Sequence, residues 1–249
     1  MSRNLVYHDC RTKESSAVNH LKLIQDYLRS HGTVADIPAT GFPFVTISRQ
    51  AGAGGHLLSY VLLTDFLKEP DRKLFEGWHV FDRQLCEVVA SDPQLQSSFQ
   101  ALLTERYRSE FAEFIESLFT GRSRQYEEYK KTSEVVRVLA TLGKVIIVGR
   151  AGCCVARDLA GGVHVRLVAP EPARVRWMMS KLRLSQEEAR ALVREQDQQR
   201  RRMLNTFFNR DIDDPLLYDA VWNTDRATPH EISQSIIQML KIRAAQGQR

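Results

Sequence analysis

No apolar run in this 249-residue sequence approaches the roughly 20 residues that a membrane-spanning helix needs, so no membrane partner is expected. The first ten residues carry Arg3, His8 and Asp9 without an apolar segment, and a secretory leader is not expected either. Cysteine is scarce. Cys10, Cys86, Cys153 and Cys154 form no C-x-x-C pair and have no histidines at zinc-site spacing, so no metal ligands can be nominated. The neighbours Cys153 and Cys154 would bridge only with strain, which makes reduced thiols and a cytoplasmic location the expectation. There is no internal repeat and no long linker, and 13 Gly with 8 Pro are ordinary counts, which excludes collagen-like, low-complexity and disordered classes. What remains is 43% apolar, 26% charged and 8% aromatic, enough to build the core of one large domain or of a domain with an insertion.

Charge is distributed more tellingly than its total of +5 implies. From Arg174 to Arg202 there are nine basic residues against four acids, a local excess equal to that of the whole chain. An arginine-rich field of this kind suits a polyanion, whether the phosphates of a small molecule or those of a nucleic acid. The plainer reading is a solvated helical face. Few aromatics interleave with the run, which argues against stacking on single-stranded nucleic acid.

Residues 18 to 31 have helical spacing, and Gly32 to Gly41 reads as loop. Phe44 to Ser48 is a short strand entered through Pro43, running into Gly52-Ala53-Gly54-Gly55 and then an apolar helical stretch from Leu57 to Leu67. His79 to Phe81 is a candidate strand ending at Asp82, and residues 84 to 142 are mostly helical in pattern. Lys144 to Val148 ends in Gly149-Arg150, and Val163 to Ala169 alternates before Pro170. Pro172 suits the first turn of a helix, and Ser185 with Glu188 forms a capping-box pattern opening a helix that carries Arg190, Arg194, Asp197 and Arg201 near one face. Asp219 to Trp222 is a last strand, followed by a helix from about His230. Phe207, Phe208 and Trp177 read as core; His79 and His164 read as packed or half-exposed strand residues.

Short apolar strands alternating with helices predict an α/β fold with a parallel sheet covered on both faces, and such sheets bind ligands at the carboxyl ends of their strands. Those ends carry Ser48 and the glycine turn, Asp82, Gly149-Arg150, Ala169-Pro170 and Asn223-Thr224. A glycine turn between strand and helix lets successive backbone N–H groups face a phosphate, aided by the helix N-terminus. The G-x-x-x-x-G-K-[ST] pattern is matched only at Gly55: Gln50 stands at the first glycine, His56 at the lysine and Leu57 at the magnesium-binding hydroxyl. A neutral His supplies a hydrogen bond and little charge; Arg49 or an arginine further along is the candidate replacement.

Thr46-Ile47-Ser48-Arg49-Gln50 with Gly52-Ala53-Gly54-Gly55, then Phe81 to Leu85, then Val145 to Arg150 with Arg157-Asp158, then Val163 to Arg174 stand in an order that resembles the cytidylate kinase-like family. Asp197 and Arg200, Asp211, Asp214-Pro215, Tyr218-Asp219 and Asn223-Thr224 extend the resemblance, which covers roughly residues 44 to 240. It implies a P-loop kinase-like, doubly wound parallel sheet of about five strands, spanning residues 41–245, and leaves the N-terminal helical extension expected over 1–40 unaccounted for. Within it, 84–142 would be a helical monophosphate-binding insertion and about 174–212 an arginine-rich lid. The implied activity is phosphoryl transfer from ATP, with Mg2+ bound without an evident loop hydroxyl, to a nucleoside monophosphate of cytidylate type. Ser48, Gly52, Ala53, Gly54, Gly55 and His56 would hold the donor; Asp82, Arg150, Asp197 and Arg201 the acceptor; Arg150, Arg200 and Arg194 would act on the transferred group. Each has a structural reading beside it: Asp82 as a helix cap, Asp197 with Arg200 or Arg201 as a helix pair, Asp214-Pro215 as a helix start. His56 and Leu57 leave a second function open, a nucleotide-binding or regulatory protein of the same fold without turnover. The sequence does not choose the acceptor, nor does it set an oligomeric state.

Overall fold

The computed structural model describes residues 22–29, 42–101 and 124–246. Most of the extension expected over 1–40 and residues 102–123 of the expected insertion lie outside the described residues, as does Cys10. In chain order the elements are a helix over 22–29 (α1), strand Phe44–Arg49 (β1), helices Gly55–Phe66 (α2) and Arg72–Phe75 (α3), and strand His79–Phe81 (β2). Helices Arg83–Ser91 (α4), Pro93–Ala101 (α5) and Arg124–Leu142 (α6) follow, then strand Val145–Val148 (β3), helix Gly152–Val155 (α7) and strand Gly162–Val168 (β4). The chain closes with helices Glu171–Leu182 (α8) and Gln186–Phe208 (α9), strand Ala220–Asn223 (β5) and helix Pro229–Gln246 (α10).

All five strands are parallel, in the order β2-β3-β1-β4-β5. This is the doubly wound α/β sheet that the alternating pattern predicts. Along β1 the side chains alternate between two cores, which is why its apolar run is nearly continuous. Phe44 joins Val145, Ile147, Leu139 and Val136 on the face covered by α1, α4, α6 and α7. Val45 and Ile47 join Ile146, Val163, Leu58, Leu62 and Ile236 on the face covered by α2 and α10. A fully buried side chain of this size contributes about 1.5–3 kcal/mol, so Phe44, Val45 and Ile47 tie both cores to the centre of the sheet. Tyr27 of α1 seals one end of the first core: its hydroxyl donates to the carbonyl of Gly143 at 3.0 Å, and its ring meets Phe81 edge-on.

Local chemistry sets the helix ends as the sequence indicates. Asp82 accepts from the N–H groups of Gln84 and Leu85 and caps α4. Ser185 and Glu188 form the reciprocal capping box of α9, and Pro172 lies in the first turn of α8. One expectation is corrected. Trp177 is 37% exposed on α8, because α8 packs through Val175 and Met178 onto Ala189 and Val193 of α9 and turns Trp177 outward. Phe207 is buried as expected, with its ring 4.2 Å from that of Tyr129 between centroids. Among the described residues no helix is long and apolar enough to cross a membrane.

Candidate functional site

The carboxyl ends of β1 and β3 open into a cavity of about 900 Å³, walled further by α4, α6 and α9. Its lining includes Arg49, Arg83, Lys131, Arg150 and Arg200 against the carboxylates Glu87 and Glu128, so the concavity is net positive.

The turn after β1 is held from three sides. Gln50 donates its N–H to the Leu167 carbonyl at 2.9 Å, and its side-chain oxygen accepts from Ala169 N–H at 3.0 Å. Asp197 of α9 accepts from Ala51 N–H at 2.6 Å and from Arg174 at 2.7 Å, so one carboxylate ties the turn to both helices of the α8–α9 hairpin. Gly52, at φ +78°, presses against α8: a Cβ there would lie 2.7 Å from the Arg174 carbonyl oxygen. Gly54 then opens α2 with no side chain capping its first N–H groups. An uncapped N-terminus beside positive side chains suits an anion.

Arg49 leaves the end of β1 and passes between two glycines. A Cβ at Gly55 would sit 3.0 Å from its Cγ, and one at Gly149 only 2.1 Å from its Nη1. Gly149 also has φ +87°, and Arg150 and Ala151 continue in the left-handed region at +53° and +51°. That run turns the chain sharply at the end of β3 and leaves the Arg150 guanidinium paired with Glu87, which also accepts from Arg83 Nε at 3.0 Å. Left-handed backbone at non-glycine residues costs about 1–3 kcal/mol each and is retained where surrounding structure over-determines it.

Electrostatics at the site follow from burial and like charge. Burial, then Arg200, then Arg150 lower the Arg49 pKa to about 9, against an opposing push from Asp82. The group stays protonated at neutral pH. Burial and Arg49 also lower the pKa of His56, which leaves this imidazole neutral at pH 7. Arg200 is lowered chiefly by burial and supported by Asp197, to which it donates at 3.2 Å.

The structure brings Ser48, His56, Arg150 and Arg200 together on the cavity wall, with Arg49 among them. Ser48 accepts from Arg166 at 3.0 Å and lies 3.2 Å from the Tyr218 hydroxyl, in a polar row continued by Asp213. Gly52, Ala53, Gly54 and Gly55 form the adjoining turn; Asp82 and Asp197 stand off the wall, engaged as a helix cap and as the turn's tether. Arg194 and Arg201 are not brought to the cavity. They are exposed and pair with Glu171 at 3.1 Å and Asp213 at 2.8 Å. Much of the charge that stands out between Arg174 and Arg202 is thus neutralised within the fold. Glu87, Glu128 and Lys131 are lining residues that the sequence reading passed over, because helical spacing alone does not reveal a tertiary partner. Among the described residues no group of three His, Cys, Asp or Glu could hold a metal ion. Cys86, Cys153 and Cys154 are free cysteines.

Comparison with known proteins agrees with this architecture. The model of a family described as cytidylate kinase-like matches residues 44–226. No curated protein matches the chain. Among solved structures, an uncharacterised protein from Eubacterium ventriosum is similar with a TM-score of 0.61 and 17% identity, over 81% of this chain and 99% of that one. At that identity the likeness bears on the fold alone. A shikimate kinase from Bacteroides thetaiotaomicron matches more loosely, with a TM-score of 0.42 and 14% identity over 80% of this chain and 98% of that one.

Proposed function

The chain belongs to the cytidylate kinase-like family, and from that premise we propose that it transfers the γ-phosphoryl group of ATP to a nucleoside monophosphate, cytidylate being the first acceptor to test. The observation that carries this reading is the convergence of Arg49, Arg150 and Arg200, from three different elements, on a cavity beside the uncapped start of α2. Phosphoryl transfer needs little covalent help from a protein. It needs two substrates held in line and positive charge around the transferred group.

In this reading the turn from Gly52 to Gly55 and the first N–H groups of α2 receive the donor phosphates. Arg150, braced by Glu87, receives the acceptor phosphate, and Arg200 on α9 lies over the transferred group. Asp82 acts by capping α4 and by favouring the charged form of Arg49; Asp197 acts by holding the turn against Arg174. Arg194 and Arg201 belong to the hairpin that carries Arg200, and their ion pairs stiffen it. Magnesium, which such chemistry uses, finds no cage of three such side chains among the described residues, and Leu57 offers no oxygen. In this reading the ion arrives with the phosphates of the donor.

The test is transfer from γ-labelled ATP with magnesium to a panel of nucleoside monophosphates, run beside Arg150→Ala. Labelled diphosphate from one pyrimidine acceptor, lost about a hundredfold or more in the variant, is the expected result. A second reading, nucleotide binding without turnover, is favoured by one observation: the residue at the loop's usual lysine is a neutral, exposed His56. ATP binding with no transfer to any acceptor would establish that reading instead.

A further inference from the structure

Among the described residues each buried arginine is met by a carboxylate, and the half-buried Arg49 on the cavity wall stands apart from them. Arg137 donates to both oxygens of Asp158, at 2.7 and 2.8 Å. Arg166 donates to Asp213 at 2.6 Å, and Arg174 to Asp197 at 2.7 Å. Each guanidinium that leaves water is met by a carboxylate, as the cost of burying a charge requires. The Arg49 guanidinium has no hydrogen bond and no ion pair among the described residues. The charges that act on it most are two more arginines, Arg200 and Arg150, and Asp82, whose carboxylate is already engaged in capping α4.

Nothing about the fold forces this arrangement. Arg49 is the last residue of β1, where a smaller or neutral side chain would satisfy the strand equally well. Glycines at 55 and 149 keep its path to the cavity open, since a Cβ at either would press on it. A cation set among like charges, without a carboxylate, along a channel cleared by two glycines, lowers the stability of the ligand-free protein. Its compensation has to arrive with an anion.

We infer that Arg49 supplies the charge that phosphate loops ordinarily carry on the first turn of the following helix, so that the loop's cation has moved from position 56 to the end of β1, where it binds the terminal phosphates of the donor. The inference rests on the proposed function. It also accounts for a neutral histidine at position 56, since Arg49 beside it disfavours the charged imidazole.

The probe is inorganic triphosphate, titrated by calorimetry without magnesium into the wild-type chain, Arg49→Met, and the double variant Arg49→Met with His56→Lys. Each is also melted in phosphate-free buffer. Arg49→Met is expected to bind about 10- to 100-fold more weakly, the size of a lost charge-assisted contact. It should nevertheless melt at a higher temperature than wild type, because the variant loses a repelled cation and keeps the side-chain length. The lysine at 56 should recover at least tenfold of the lost affinity. Binding of Arg49→Met within threefold of wild type would overturn the inference and leave the proposed function standing. Lost binding with a lowered melting temperature would overturn it too, by giving Arg49 a structural role. Wild-type protein that binds neither triphosphate nor ATP would overturn the inference and the proposed function together.

Discussion

At the scale of single residues, the turn after β3 does the most with the least. Gly149 has to combine φ +87° with room for the Arg49 guanidinium, and no side chain satisfies both. Gly149→Ala is therefore expected to destabilise the chain by about 1–3 kcal/mol, read as a shift in the urea midpoint at unchanged slope. It should also displace Arg49 from the cavity and weaken triphosphate binding with it. A variant as stable as wild type would mean that the turn relaxes freely. The sequence made Gly149-Arg150 conspicuous by placing it at a strand end, yet two facts about it were not legible. The pairing of Arg150 with Glu87 joins residues 63 positions apart. The left-handed conformation at Arg150 and Ala151 runs against local propensity, because tertiary packing overrides it.

At the scale of elements, legibility followed the strength of local signals. The ends of β2, the capping box of α9 and the proline of α8 were readable because each is fixed by residues within a few positions of itself. Trp177 was misread because a helix pattern does not say which neighbour its apolar face will find. The pairing of β1 with β4 adds a consequence that strand periodicity alone could not supply. His164 stands opposite Thr46 in the ladder, and its Nδ1 lies 2.8 Å from the threonine hydroxyl. Burial lowers its pKa to about 4, with Arg243 and Arg157 adding to the effect and Asp219 opposing it. Between about pH 6.5 and pH 4 the unfolded chain therefore binds a proton that the folded chain refuses. Stability from this group is complete above about pH 6.5 and falls as the pH drops towards 4, by up to about 1.4 kcal/mol per pH unit. His56 and His79, also lowered by burial, act in the same direction. Urea unfolding at pH 7 and pH 5 should show the loss, and His164→Gln should reduce it by one proton's worth. An identical pH slope in the variant would mean that His164 titrates in the folded state as it does in the unfolded chain.

At the scale of the whole molecule, the sheet gathers positive side chains at its carboxyl edge, and Glu87 and Asp197 beside them offset only part of that charge. Phe44 to Arg49 fixes where that edge is, Gly149 to Ala151 turns away from it, and α9 crosses it with Arg200. The ligand-free fold thus carries an electrostatic penalty concentrated in one cavity. A polyanion that fills the cavity removes that penalty and stabilises the fold by mass action. At about a hundred times its dissociation constant, triphosphate should add roughly 2.7 kcal/mol. For a chain of this length that corresponds to a rise of roughly 5–10 °C in melting temperature. Adenosine carries the base and sugar without the charge, and the same concentration of it should move the melting point far less. The comparison separates two ways of holding a nucleotide. A shift that follows the phosphates places the affinity in the arginines and the turn, whereas an equal shift with adenosine would place it in contacts to the base and leave the three converging cations without their ligand.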